Sequence, residues 1–354
     1  DYWDKVAGLR EAFRQEVFLG VSGEREEVSF EEFYVILNAF QRKLDRGVAR
    51  AMELGEGIMP TYFTYEAQEY EELLNEDKSP RISPYGMPGV RVKSFRMTPV
   101  PRFLEGPARM LAACGKEDKQ RAREMCARIK RTDIYDKKLK MYKTSGSIEN
   151  MSMENGRIRA FTPGWLERES VFLHMEYKYF YGMLKAGLYD EFYEAAEDAL
   201  IPFQKPEVYG RSILENSSFL ASSVNPDSSV HGQGFVSRLS GSTVEMLSIW
   251  ISMFLGEGGF GQKEGRLTFT LAPRLRADYF DDSCEAGFTL CGCCRVVYHN
   301  ESGKNTYGAD GAKVYAMTLL ENGKRHEVQG DSVGEELAVK LRNGEISRID
   351  AYLK

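Results

Sequence analysis

The stretch Gly256-Glu257-Gly258-Gly259-Phe260-Gly261 separates two different patterns in the sequence. Its four glycines are typical of a place where a helix ends, because glycine adopts the left-handed backbone that closes a helix. After it, residues 266–271 alternate between apolar and polar side chains, as in a strand with one buried face. Asn322-Gly323 lies between two further runs of this kind and is typical of a hairpin turn. The sequence therefore predicts an antiparallel β-domain over residues 263–354.

The sequence before this stretch has its apolar residues at helical spacing. Ser29 and Glu32 have the spacing of a capping box, which marks the start of a helix at Phe30. The predicted helices cover Tyr2–Leu19, Phe30–Leu54, Pro101–Cys114, Asp118–Arg131, Glu169–Ala186, Tyr189–Leu200 and Gly241–Leu255. Since helices come first and strands last, we expect a mainly α fold with a β tail, in which a helical domain over 1–262 precedes the β-domain over 263–354.

Composition excludes several classes of protein. The net charge of −6 leaves no dominant basic surface to neutralise nucleic-acid phosphates, which argues against a nucleic-acid partner. The most apolar segment, 244–255, is shorter than the roughly 20 residues of a membrane helix and is predicted to be buried. Six cysteines are too few for a disulfide framework at this length, so we expect a cytoplasmic protein. The chain opens on Asp1 inside a helical pattern, and we expect a piece of a longer protein.

Four of the cysteines form a cluster, which raises the question of a zinc site. They are Cys284, Cys291, Cys293 and Cys294. On a strand, Cys291 and Cys293 would point to one face and Cys294 to the other, and no second pair with zinc-site spacing is present. The pattern favours reduced, packed cysteines and no metal site.

The densest group of chemically active side chains lies in Phe161–His174, where a Pro-Gly turn leads into an apolar helix. Glu167 and Glu169 near the start of that helix suit its dipole, and for Glu169 we prefer this capping interpretation. Glu167 and His174 are two helical turns apart and could face one side if the helix extends that far. From spacing alone, His174 is predicted more readily as a core histidine than as a ligand-binding one.

Ser240-Gly241-Ser242-Thr243 lies at the start of a predicted helix. Hydroxyl groups and backbone N–H groups at a helix N-terminus bind oxyanions. The alternative is a simple N-cap by Ser240 or Ser242, and the two interpretations use the same groups.

Two further groups of residues could bind a sugar. Arg211, within Pro206–Ser218, could hold sugar hydroxyls, although that segment could equally cap a helix and anchor a loop. The aromatic residues of the predicted helix Glu169–Ala186 are best explained as a core stripe, with sugar stacking as the alternative for one or two of them. They are Phe172, Tyr177, Tyr179 and Phe180.

Together these segments resemble the cellobiose phosphorylase family, inverting enzymes that split a β-glucoside with phosphate. The family has a Glu-Asn-Gly-Gly-x-x-x-His run, and the segment Glu167–His174 keeps its first and last positions. The family also has a Tyr-Thr-Gly-Ser-Ala run that opens a helix. Here that run is Leu239-Ser240-Gly241-Ser242-Thr243, preceded by Gly232-x-Gly234 as in the family. The likeness extends over roughly residues 95–300.

The resemblance implies the C-terminal part of an (α/α)6 barrel and a set of binding residues. By position, His174, Ser240 and Gly241 would bind phosphate, and Glu167 would contact the sugar beside the cleaved bond. The two glycines of the family run are Glu169 and Ser170 here, so the floor of the pocket differs. The family's general acid is an aspartate in a Gly-Asp-Trp-Asn-Asp run that this chain lacks, so no catalytic residue is matched and the acid is expected upstream.

The function expected from this resemblance is phosphorolysis of a β-linked gluco-oligosaccharide to a sugar 1-phosphate with inversion. Phosphate is the co-substrate, no cofactor is needed, and a single carboxylic acid protonates the leaving oxygen. One alternative is an inverting hydrolase, with Glu167, Glu176 or Glu215 as the base; another is a non-catalytic carbohydrate-binding subunit. The expected partners are the oligosaccharide or disaccharide, phosphate, and either a second copy of the chain or a missing N-terminal half.

Overall fold

A computed structural model describes residues 2–236 and 240–354, apart from the side chains of Tyr2, Trp3, Glu154 and Ser240. Contacts between Cα atoms divide the chain into two compact units, Asp1–Val100 and Pro101–Lys354. The predicted division between residues 262 and 263 falls inside the second unit, where a strand crosses it, and it stays a prediction. In the described part of the chain, no helix has the length and apolar character needed to span a membrane.

The first unit contains two helices and one long antiparallel hairpin. Helix α2 begins as predicted, because the Ser29 hydroxyl accepts a hydrogen bond from the Glu32 N–H (3.2 Å) and the Glu32 carboxylate accepts one from the Ser29 N–H (3.0 Å). The hairpin was not predicted, since its strands are rich in glutamate and arginine, which mask the alternation of their aromatic residues. The elements are α1 (Tyr2–Glu16), α2 (Phe30–Leu54), β1 (Phe63–Glu72) and β2 (Val90–Pro99).

The second unit begins with a helical part that contains small sheets. Its helices are α3 (Glu105–Cys114), α4 (Lys119–Ile129), α5 (Leu173–Lys185), α6 (Tyr189–Ala199), α7 (Pro206–Tyr209) and α8 (Ser240–Phe254). The strands of this part are β3 (Tyr135–Asp136), β4 (Met141–Tyr142), β5 (Val171–Phe172), β6 (Phe219–Leu220) and β7 (Gly234–Phe235). Strands β5, β6 and β7 form one antiparallel sheet, which was not predicted.

Helix α5 is the centre of this part, because it packs against α3, α6 and α8. Tyr177, Tyr179 and Phe180 on α5 are fully buried, which confirms the core stripe predicted for them. Gly182 lies directly against α3, since a Cβ atom there would come within 2.7 Å of the Leu111 side chain. The predicted start of this helix at Glu169 was wrong: α5 begins at Leu173, because the two preceding residues pair with β6 as a strand.

The rest of the second unit is rich in strands but is not purely antiparallel. A five-stranded sheet has the order β10-β11-β15-β12-β13, and its β11 and β15 run parallel, with Arg295 opposite Arg348. Asn322 and Gly323, both with positive φ, close the predicted hairpin between β12 and β13. The elements are β8 (Gly259–Lys263), β9 (Arg266–Thr270), β10 (Glu285–Leu290), β11 (Cys294–His299), β12 (Val314–Glu321), β13 (Lys324–Gln329), β14 (Ser332–Val333), α9 (Glu335–Arg342) and β15 (Ile346–Leu353).

These strands overturn the predicted fold class. In the part of the chain that the structure describes, helices account for 36% and strands for 24%. The protein is therefore not mainly α with a β tail, and the prediction of an (α/α)6 barrel piece falls with it. The error came from treating strand content as confined to the C-terminal region. Strands also occur at 63–99 and between the helices of the second unit, where they are too short for alternation to be recognised.

The cysteine cluster lies at a hairpin turn, which corrects the predicted arrangement along one strand. Cys291 has a positive φ and joins Gly292 and Cys293 in a three-residue turn between β10 and β11. Cys291 and Cys293 are exposed, whereas Cys294 is buried in β11. All six cysteines have free thiols. Over residues 2–236 and 240–354, no three histidine, cysteine or acidic side chains come together as a metal site would require.

Candidate functional site

The N-terminal ends of α5 and α8 meet at His174 and Gly241. His174 is the second residue of α5, and Gly241 is the second residue of α8. A Cβ atom at Gly241 would lie 2.6 Å from His174 Nδ1 and 2.7 Å from its Cε1, so the imidazole occupies the space that any side chain at 241 would need. Two residues that are 67 positions apart in the sequence and were both predicted to bind phosphate are therefore in contact.

The first turn of α8 supplies the backbone groups beside this imidazole. The first N–H groups of a helix have no partner within the helix, and they carry the positive end of its dipole. Gly241 is partly accessible and Thr243 is exposed, so this turn reaches solvent. The backbone of Ser240 begins α8, whereas its side chain and the preceding Leu239 lie outside the described part of the chain.

Two charged residues, Lys178 on α5 and Glu245 on α8, lie close to His174. Lys178 is one helical turn beyond His174, and Glu245 is one helical turn beyond Gly241. Glu245 Oε1 lies 3.6 Å from His174 Nε2 and 4.0 Å from Lys178 Nζ. Burial lowers the pKa of His174, and the positive charges of Lys178 and Arg109 lower it further, while Glu245 opposes the shift. The imidazole is therefore neutral at pH 7, and a bound anion would favour its protonated form.

Glu167 lies at the tip of a strained turn. Leu166 and Glu169 both adopt positive φ angles, 49° and 56°, which side chains other than glycine rarely accept. The turn is closed by a hydrogen bond from the Gly164 N–H to the Arg168 carbonyl (2.8 Å). Glu167 is half-buried and lies 3.7 Å from the exposed Arg157 guanidinium. This geometry explains why the helix does not reach Glu167, so the predicted alignment of Glu167 with His174 along one helix face was wrong.

Glu169 is part of a buried ion pair and does not cap a helix, which corrects the capping interpretation. Its carboxylate lies 3.6 Å from Lys143 Nζ, and both side chains are almost fully buried. The Ser222 hydroxyl donates a hydrogen bond to the Glu169 carbonyl (2.5 Å), which ties the turn to the segment after β6. The positive φ of Glu169 is a backbone conformation that glycine adopts most easily.

A row of aromatic rings connects the Glu167 turn to His174. Phe172, Phe219 and Phe235 lie opposite one another on β5, β6 and β7. Their rings stack with centroid separations of 4.6 Å and 5.7 Å. Trp165 stacks on Phe235 at 3.7 Å, and Phe172 meets the His174 imidazole edge to face at 5.7 Å. We call Trp165, Phe235, Phe219 and Phe172 the aromatic row; it links the Glu167 turn to His174 at the start of α5.

Arg211 anchors the last strand of this sheet. Its Nε donates a hydrogen bond to the Gly234 carbonyl (2.8 Å), and its guanidinium pairs with Glu215 at 2.8 Å. A Cβ atom at Gly234 would lie 2.2 Å from the Ser217 hydroxyl, so the chain passes very close to its neighbour there. These contacts favour the loop-anchoring interpretation of the segment, and sugar binding by Arg211 stays a prediction.

Two of the three carboxylates considered as hydrolytic bases, Glu176 and Glu215, are engaged elsewhere. Glu176 is fully buried, accepts a hydrogen bond from the Tyr142 N–H (2.7 Å), and has a pKa that burial raises to about 8. Glu215 is paired with Arg211. A general base must contact the water that it activates, and a buried, protonated Glu176 does not.

Several residues of this site were not identified from the sequence. Lys178 and Glu245 follow His174 and Gly241 by four positions, so helical spacing alone could have placed them beside those residues. The register that brings Phe219 and Phe235 to Phe172 had no comparable signal, because the strands are two residues long. A scan against models of known protein families finds no match to this chain, and a search of curated proteins finds none either.

Proposed function

We propose that this chain provides the phosphate site and part of the sugar site of an inverting β-glucoside phosphorylase. The observation that carries the proposal is the contact between His174 and Gly241, which combines an imidazole with the amide groups at the start of α8. Helix N-termini bind phosphate through their N–H groups and dipole. Lys178 and Arg109 add positive charge near the imidazole, and Glu245 offsets part of it, so the proposed dianion would be attracted by the two cations and repelled by one carboxylate.

In this reaction an oxygen of phosphate attacks the anomeric carbon as the bond to the leaving sugar oxygen breaks. A carboxylic acid protonates the leaving oxygen, and the product is a sugar 1-phosphate of inverted configuration. This chain would hold the dianion in line for attack. His174 is neutral before phosphate enters, and the bound dianion raises its pKa, so the protonated ring donates a charge-assisted hydrogen bond. The aspartate that serves as acid in the family has no counterpart in this chain.

The resemblance assigns sugar contact to Glu167, which lies at the other end of the aromatic row from His174. Glu167 is partly accessible, and its weak ion pair with exposed Arg157 leaves it able to accept hydrogen bonds from hydroxyl groups. The aromatic row holds its turn in place, and Arg211 holds the strand that carries Phe235. Inorganic phosphate is a co-substrate here, and the proposed substrate is a β-linked gluco-oligosaccharide. A cytoplasmic location belongs to the proposal because the six thiols are free.

Calorimetric titration with inorganic phosphate tests this proposal. His174→Ala removes a charge-assisted hydrogen bond, so we expect phosphate affinity to fall by about 10-fold to 100-fold. His326→Ala is the matched control: His326 pairs with Glu321 in the β12–β13 hairpin, and its loss should leave phosphate binding unchanged. Equal affinity of wild type and His174→Ala would remove His174 from the site and contradict the proposal.

A product assay separates phosphorolysis from the alternatives. With β-linked glucose oligosaccharides, the phosphorylase releases sugar 1-phosphate only when phosphate is present, whereas a hydrolase releases free sugar without it. The assay needs the polypeptide that contains the general acid. Oligosaccharide binding without phosphate binding would instead support the non-catalytic subunit.

A further inference from the structure

Helix α2 carries an apolar seam along its whole length, and the seam is exposed except at Ala51 and Leu54, which are partly accessible. Successive seam residues are alternately three and four positions apart, the seven-residue repeat of helices that pair with other helices. None of the residues of α2 is buried, and Phe30 at one end is 91% exposed. The seam consists of Phe30, Phe33, Leu37, Phe40, Leu44, Gly47, Ala51 and Leu54.

The two halves of this seam differ in size and are complementary in shape. Three of its first four residues are phenylalanines, whereas the second half contains Gly47 and Ala51. An apolar groove of about 590 Å³ follows the second half, between α2 and the wall formed by Met59, Pro60 and Phe63. Space is open at Gly47, because a Cβ atom there would have no neighbour within 4 Å. One half of the helix thus presents large side chains and the other a groove that could receive them.

The two halves also differ in charge. Residues 30–41 contain Glu31 and Glu32 and no basic residue, which gives a net charge of −2. Residues 42–54 contain four basic and two acidic residues, which gives a net charge of +2. A matching partner would therefore present basic groups and small side chains to the first half of α2, which is acidic and has large side chains. A second copy of α2 in the opposite direction has both properties.

We propose that α2 pairs with α2 of a second copy of this chain in antiparallel orientation. In the register that sets Leu37 opposite Gly47, each large residue of the seam faces a small residue or a leucine. The acidic half of each helix then lies beside the basic half of the other. Parallel pairing would place Phe33 against Phe33 and Gly47 against Gly47, with like charges together. Arg42 would face its own copy at the two-fold axis and Glu31 would lie opposite Glu53, and these two kinds of like-charge pair oppose the attraction between the acidic and basic halves. The facing residues are Phe30 and Leu54, Phe33 and Ala51, Leu37 and Gly47, and Phe40 and Leu44.

Sedimentation velocity of the chain over a wide range of concentration tests the pairing. We expect a dimer that Phe40→Asp dissociates, with the dissociation constant raised about 100-fold or more because a carboxylate would be buried. The control is Val35→Asp, since Val35 lies on the same helix outside the seam and is as exposed as Phe40, 63% against 61%. A monomeric wild type, or equal dissociation by both variants, overturns the proposal. Circular dichroism checks that each variant keeps its helices.

A second pair of variants tests the orientation. In the isolated chain Gly47→Leu has room for its side chain, but in the antiparallel pair Leu37 of the second copy fills that space. We expect Gly47→Leu to weaken the dimer about 10-fold or more, and Leu37→Ala combined with Gly47→Leu to restore it. In a parallel pair, Leu37→Ala would not compensate for Gly47→Leu. A Gly47→Leu dimer as strong as wild type, or a double variant no stronger than Gly47→Leu, contradicts the antiparallel register.

Discussion

At the scale of single residues, the absence of a side chain at Gly241 is as important as the presence of His174. The imidazole fills the position that a Cβ atom would take, with closest approaches of 2.6 Å and 2.7 Å to ring atoms. The site therefore depends on a steric match between two residues. Glycine at 241 is required by the ring beside it, since Gly241 is not among the glycines with positive φ.

Gly241→Ala should displace the His174 ring and weaken phosphate binding while the helix remains intact. Alanine is the better helix former, so we expect little loss of folding stability from α8 itself. Phosphate affinity should fall about 10-fold or more, because the charge-assisted hydrogen bond loses its geometry. Calorimetry measures the affinity, with Gly8→Ala as control because a Cβ atom at Gly8 meets no neighbour. Unchanged affinity in Gly241→Ala would show that the ring position has no role in binding.

At the scale of elements, the sequence predicts those features that depend on local signals. Helix α2 has the bounds predicted for it, because its capping box and its apolar spacing are both written within the helix. The start of α5 was misplaced because the positive φ of Glu169 accompanies an ion pair with Lys143, a residue 26 positions away. Likewise, His174 and Gly241 were linked by the motif resemblance, whereas no local pattern predicted that Phe219 would stack on Phe172.

The sheet β5-β6-β7 is small, so its stability should depend on the aromatic row. Phe219 is its buried centre, with Phe172 on one side and Phe235 on the other. Phe219→Ala should lower the free energy of unfolding by about 3 kcal/mol, the usual loss when a buried phenylalanine is truncated. Urea unfolding of the chain measures this, and Phe203→Ala, which removes a more exposed ring, is the control. Similar losses in both variants would mean that the row contributes no special stability.

At the scale of the whole molecule, the strands are distributed through the chain, and this is why the fold class was predicted wrongly. Composition and net charge are averages over many residues. They therefore do not reveal a glutamate-rich hairpin such as β1–β2 or a parallel strand pair such as β11–β15. The buried charges are equally invisible in the sequence. Glu176 has a helical apolar context, yet its burial raises its pKa in the folded protein from the ordinary 4.5 to about 8.

Glu176 should make folding stability depend on pH. Its pKa is about 8 in the folded protein and close to the ordinary 4.5 when unfolded, so between these values the folded state binds the extra proton. Stability from this group is therefore present at low pH and falls as the pH rises from about 5 to about 8, by an amount on the order of a few kcal/mol. Glu176→Gln keeps an acceptor for the Tyr142 N–H and cannot ionise. It should therefore be more stable than wild type at alkaline pH, and this advantage should vanish as the pH is lowered toward the ordinary glutamate pKa. Urea unfolding across this range measures the difference, with Glu207→Gln as an exposed control; a constant difference between wild type and Glu176→Gln would contradict the prediction.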